Sequence, residues 1–158
     1  MINSGQLITS LRTTLKADAQ LLADLKTPAG REGCIVLGPD FPPAPAPRFV
    51  SIAVIANSED TFSTVAEELT VVGLTIGVQK DTGPDANDWK GYSAIARRLF
   101  ELLAGTTSVN GHPSSVSLSN DLVAHIARSN GIAPSYTTVG SGEYLVGQER
   151  YELLSFSV

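Results

Sequence analysis

Apolar residues near the start of the chain fall at Leu7, Ile8, Leu11, Leu15, Leu21, Leu22 and Leu25, at spacings that predict an amphipathic helix over residues 4–25. Ser4 is available as its N-cap, and the pattern is weakest near Asp18, where a break is expected. "KTPAGREG" stops the helix, because proline lacks the helical donor and glycine tolerates the reversal. "CIVLG" is a short strand candidate, and a proline-rich connector over residues 39–47 follows, too poor in backbone N–H groups to join a sheet. Next, "FVSIAVIAN" from Phe49 is almost continuously apolar, as in a strand covered on both faces. "VAEELTVVGLTIGVQK" alternates, placing Val72, Leu74, Ile76 and Val78 on one face and Thr75, Gly77 and Gln79 on the other. With "SEDTFST" as a polar turn between them, the two form an antiparallel hairpin.

After the loop "KDTGPDAND", Trp89, Tyr92, Ala96, Leu99 and Leu103 step at three and four residues, predicting a helix over 88–104 that lies on the sheet. Asp88 can cap its start and Gly105 its end, and Arg97, Arg98 and Glu101 occupy the opposite arc. "SSVSLS" suggests a strand. "SNDLVAHIARSNG" fits a strand or a short capped helix, with strand preferred. "GSGEYLVG" reads as a turn, and "YELLSFSV" alternates, so the chain is tied into the sheet at its C-terminal end. The pattern as a whole is α+β: a mostly antiparallel sheet with two main helices on it, in a single domain of residues 1–158 whose sheet and helix core occupies 49–158.

Composition narrows the function. Charged residues make up 17% of the 158 residues against 42% apolar, which leaves little charge to keep every surface wet and favours a protein with partners. Eleven Lys+Arg against sixteen Asp+Glu give a net charge of -5 with no basic block, which disfavours sequence-specific nucleic-acid binding. No apolar run is long enough for a membrane span and the first residues lack a signal-peptide pattern, so synthesis in the cytoplasm is expected. The single cysteine, Cys34, sits in an apolar run as a buried hydrophobe would.

Chemistry is scarce. His112 and His125 lie in different segments without His or Cys at metal-ligand spacing. Neither a G-x-S-x-G turn nor a phosphate-binding glycine loop is present, and Gly140, Gly142 and Gly147 miss the dinucleotide spacing. Counted from Asp81, a calcium loop would need an acid at Gly83, glycine at Ala86 and glutamate at Tyr92, and it fails at all three. No enzyme is expected, and no catalytic, cofactor-binding or metal-ligating residue is assigned. The 80–88 loop is better suited to reaching another subunit.

The order of these pieces resembles the tail terminator and tail-completion proteins of long-tailed bacteriophages: an N-terminal helix, a proline-bearing link into "RFVSIAVIA", the strand "EELTVVGLTIGVQK", the helix "WKGYSAIARRLFELLAG" and the closing "GEYLVGQERYELLSFSV". Gly147, Arg150, Tyr151 and Phe156 carry the likeness of the closing stretch. The resemblance implies a virion structural protein, present in the host cytoplasm during assembly. It implies a ring of identical subunits, typically a homohexamer, that caps the tail tube, ends tube polymerisation and joins the tail to head-side neck proteins. Its partners would be itself, the tube protein and a neck or connector protein, with no cofactor. On this reading Lys80, Asp81, Asp85 and Asp88 contact the tube or an adjacent subunit, and Pro43, Pro45 and Arg48 pack against a ring neighbour. Another neck or head–tail connector protein, or a cellular protein-binding adaptor, fits the same layout.

Overall fold

The computed structural model describes residues 4–25, 34–38, 46–62, 65–81, 87–103 and 123–157. Its elements are α1 (Ser4–Lys16), α2 (Ala19–Asp24), β1 (Ile35–Leu37), β2 (Arg48–Phe62), β3 (Val65–Gln79), α3 (Asp88–Leu103), β4 (Val123–Val139) and β5 (Gly142–Ser157). The five strands form one sheet in the order β1-β2-β3-β5-β4, antiparallel except for the β1–β2 pair. The fold is α+β and mostly sheet, as the alternation predicts.

The helices share one face of the sheet, α1 over β1 and β2, α3 over β3 and β5, with α2 packed against α3. Between these layers lies the main core. Leu7, Leu11 and Leu15 of α1 and Ile95 and Leu99 of α3 meet Val50, Ile52, Val72, Leu74, Ile76 and Leu145 of the sheet, all buried. Each large apolar side chain so placed stabilises the fold by about 2 kcal/mol. On β3 the buried face is Val72, Leu74, Ile76 and Val78, the set the period-2 pattern selects.

The first helix does break where its pattern fails. Ala17 and Asp18 separate α1 from α2, and the Asp18 carboxylate accepts the Leu21 backbone N–H at 2.8 Å as the α2 N-cap. The same carboxylate receives two bonds from Arg98 of α3, 2.6 Å from Nη2 and 2.8 Å from Nε, a bidentate pair between segments 80 residues apart. The Arg98 side-chain hydrogen bond is the main reason that the Asp18 pKa lies below its ordinary value, against the opposing effect of burial. Arg98 was expected on the solvent arc of its helix, and this ion pair turns it inward. Three helices lie among the described residues, where the spacing suggested two, because of that break.

The strands differ more from expectation. The two strands do form the expected antiparallel hairpin, but most of "SEDTFST" is strand: β2 runs through Phe62, the Asn57–Asp60 stretch pairs with Glu67–Thr70 of β3, and residues 63–64 lie outside the described residues. Asn57 to Asp60 are exposed while their backbone stays paired, which suits their polar side chains. β2 is accordingly covered on both faces only near its start. "GSGEYLVG" is also mostly strand. Only Gly140 and Ser141 turn, Gly140 with φ 61°, and β5 begins at Gly142. The doubtful stretch after residue 122 is strand β4, held to β5 through three register shifts. The "SSVSLS" segment, His112 and Gly105 lie outside the described residues.

The sheet's second face carries no helix among the described residues. It is closed locally by Phe49, which lies flat on Gly77 and meets Tyr144 with ring centroids 5.7 Å apart, beside Val139 and Val146. A Cβ on Gly77 would sit 2.2 Å from the Phe49 ring. Farther along, Gln148 donates to Thr75 and Arg150 donates to Gln148.

Asp18→Ala removes both a helix cap and an ion pair and is expected to cost about 3 kcal/mol in denaturant unfolding. Asp18→Asn keeps the cap and costs about 1–2 kcal/mol. Folding lowers this carboxyl's pKa, so the pair's contribution is complete above the unfolded value and is lost as the pH falls toward the folded one. The wild-type advantage over Asp18→Asn therefore shrinks as the pH falls through and below the ordinary carboxylate range, and an advantage that is flat with pH contradicts the assignment.

Candidate functional site

The C-terminal end of β3, the N-terminus of α3 and the β4–β5 turn come together at one end of the sheet. Lys80 follows directly on β3, and its backbone N–H donates to the Glu143 carbonyl at 2.8 Å. Its ammonium pairs with the Glu143 carboxylate at 3.4 Å and lies 5.0 Å from the centroid of the Tyr136 ring. Tyr136, on β4, donates its hydroxyl hydrogen to Asp88 and accepts the indole N–H of Trp89 at 3.2 Å. The two rings meet edge to face, centroids 6.4 Å apart.

Asp88 is therefore a buried carboxylate with a phenol partner, placed at the positive end of a 16-residue helix. The Tyr136 hydrogen bond, chiefly, holds it below the usual carboxylate range, and the Trp89 backbone N–H adds to this. The same bond raises Tyr136 above the usual phenol value, since ionising the phenol would remove the donor and set two anions together. These groups hold one another. Among the described residues no three His, Cys, Asp or Glu side chains gather as metal ligands.

Of the interface residues expected from sequence, Arg48, Lys80, Asp81 and Asp88 border one shallow depression of about 250 Å³, with Pro47, Gln79 and Asn87. The fold thus brings together four residues drawn from two separated segments. Arg48 also has an internal role, donating to the Asp24 carbonyl at 2.8 Å and packing its guanidinium against Gly91 of α3. Pro43, Pro45 and Asp85 lie outside the described residues.

Sequence reasoning missed Trp89 and Tyr136 as surface residues. Helical spacing assigns Trp89 to the core, yet it is 51% exposed, and Tyr136 and Ile132 of β4 are exposed as well. The only sequence signal was that the alternation of β4 leaves large apolar side chains on both of its faces. Open backbone adds to this surface. β1 pairs with β2 only over Val50–Ile52, so among the described residues the outer edge of β2 beyond Ile52 is unpaired, and β4 forms the opposite edge.

Tyr136→Phe tests the cluster. Its removal of one donor and one acceptor is expected to raise the Asp88 titration toward the ordinary carboxylate value and to shift the Trp89 indole N–H resonance, both read by NMR. An unchanged Asp88 titration contradicts the assignment.

No protein-family model matches the sequence, and no curated protein matches it. Among solved structures, a chain of the "Virion of native gene transfer agent (GTA) particle" has a similar fold, with a TM-score of 0.63 and 17% sequence identity over 96% of this chain and 96% of that one. This chain is similar to it in fold along nearly its whole length.

Proposed function

We propose that this protein is a structural subunit of a phage-like virion, and within that class a tail terminator. Copies would close into a ring on the end of the tail tube, stop its growth and present the other face to head-side neck protein. The observation that carries the reading is a pair of sheet edges unpaired among the described residues, β2 beyond Ile52 and β4, on opposite sides of one sheet. Soluble monomers shield such edges, whereas subunits with head-to-tail contacts use them, and a head-to-tail contact that closes gives a ring.

Three further features support it. The fold is similar to that of a chain in a gene transfer agent virion. Exposed Trp89, Ile132 and Tyr136 supply apolar and aromatic contact surface away from the core. The titratable groups near them are tied to each other in pairs, which suits a packed interface better than acid–base catalysis.

Native mass and negative-stain images of the purified protein, alone and with short tubes of its cognate tube protein, test this reading. Annular particles bound to tube ends, with tube length fixed by their addition, are expected. Rings that bind neck protein but ignore tubes would reassign the subunit to the connector, and a chain that stays monomeric with both partners would overturn the proposal.

A further inference from the structure

Each edge of the sheet is open along one half and obstructed along the other. On β2 the strand β1 occupies Val50–Ile52. Beyond Ile52 the outer edge is unpaired among the described residues, and Ile55 to Asp60 are exposed. On β4 the obstruction lies in its own backbone. Its register with β5 shifts between Ser129 and Ile132 and again between Ile132 and Ser135, and Pro134 supplies no N–H for a further strand. The remaining shift lies between Val123 and His125, and from His125 to Ser129 the strand pairs with β5 rung by rung.

The register sets the two open halves level with each other. Ser51 is opposite Thr75, Thr75 opposite Gln148 and Gln148 opposite Ile132, so β1 and the irregular part of β4 share one level of the sheet. At the other level Asn57 is opposite Thr70, Thr70 opposite Leu153 and Leu153 opposite Ile126. The open half of β2 is therefore aligned with the regular half of β4. Each step from β2 through β3 and β5 to β4 is antiparallel, so β2 and β4 run in opposite directions. Rotation about an axis along the strands leaves those directions unchanged. In a ring, β2 of one copy beside β4 of the next then makes an antiparallel pair at the same height.

Charge acts against the pairing of two β2 edges. From Phe49 to Gln79 the β2–β3 hairpin carries Glu59, Asp60, Glu67 and Glu68 and no Lys, Arg or His. Joining two such edges brings carboxylates together with no cation from either hairpin among them. β4, by contrast, has no Asp or Glu from Val123 to Val139. We infer that the outer edge of β2 beyond Ile52 pairs antiparallel with the outer edge of β4 over His125–Ser129 in a second copy of this chain, so that one sheet runs on from subunit to subunit. The inference rests on the ring reading and adds which edges meet, in which direction and over which half of each strand.

Cysteine pairs test this contact. Ser58→Cys on β2 is combined in turn with His125→Cys, Ala127→Cys and Ser129→Cys on β4 and oxidised mildly, with the wild-type chain, whose Cys34 is buried, as background. Within one chain β3 and β5 hold β2 and β4 three strand spacings apart, about 14 Å, beyond disulfide reach, so any bond joins two copies. At least one of the three pairs is expected to give a series of multimers on a non-reducing gel, and Ser58→Cys with Thr138→Cys, at the obstructed end, to give none. Proline gives a second measurement. Val50 donates its N–H toward β1, to the Cys34 carbonyl, and the alternation of amides along β2, carried through the bulge at Ile55, turns the Glu59 N–H outward as well. Glu59→Pro is therefore expected to keep the circular dichroism of the monomer yet self-associate about a hundredfold more weakly in sedimentation equilibrium, while Glu59→Ser associates as wild type does. No multimers from any of the three pairs, in a chain whose native mass shows a ring, overturns the contact and leaves the ring standing on others. Dimers from Ser58→Cys alone, or wild-type association of Glu59→Pro, also overturn it, and a wild-type chain that never associates removes both readings.

Discussion

Strand length against helix length is the constraint on which the rest of the structure depends. β3 and β5 pair over 14 rungs from Ala66–Ser157 to Gln79–Tyr144, and the core beneath the helices takes in Val72, Leu74, Ile76 and Val78 of β3 and Leu145, Tyr151 and Leu153 of β5. Toward the end of the β2–β3 hairpin the strands stay paired while Asn57 to Asp60 are exposed. A chain folded in this way has a conventional core and, continuous with it, paired β-structure whose outer β2 edge beyond Ile52 is unpaired among the described residues.

The polar contacts follow that division. Inside the helix layer, Asp18 and Arg98 fix α2 against α3, and Arg48 ties the start of β2 to the end of α2. At the end of the sheet, Asp88, Tyr136, Trp89 and Lys80 form a connected group that is part buried and part exposed. Each carboxylate in these groups has its own partner, Asp18 with Arg98 and Asp88 with Tyr136. Burial of Tyr92 pushes its phenol up to about 12, with nearby Glu149 adding to the shift, so this side chain is uncharged throughout the neutral range.

Local pattern made much of the fold legible. The alternation of Val72 to Val78 and the four-residue spacing of Leu7, Leu11 and Leu15 each identify an element and its buried face, because a single core decides them. The misreadings arose where a partner distant in sequence decides the outcome. "SEDT" looks like a turn by composition, yet pairing with β3 makes it strand, and β4 is strand because β5 binds it. Trp89 has core spacing but lies at the margin of the sheet, where Tyr136, 47 residues away, draws its indole outward. The candidate site was half legible for the same reason. Lys80, Asp81 and Asp88 flank one loop and could be read together, while the β4 residues that complete their surroundings reach them only through the fold.

Amide hydrogen exchange on the dilute chain and on its assembled form tests the central claim most directly. The account predicts slow exchange along β3 and β5 in both states. It predicts that outward-pointing amides of β2 beyond Ile52 and of β4 exchange fast in the dilute chain and become protected on assembly. Edges that are protected equally in the dilute chain, or that stay unprotected in the assembly, would contradict it.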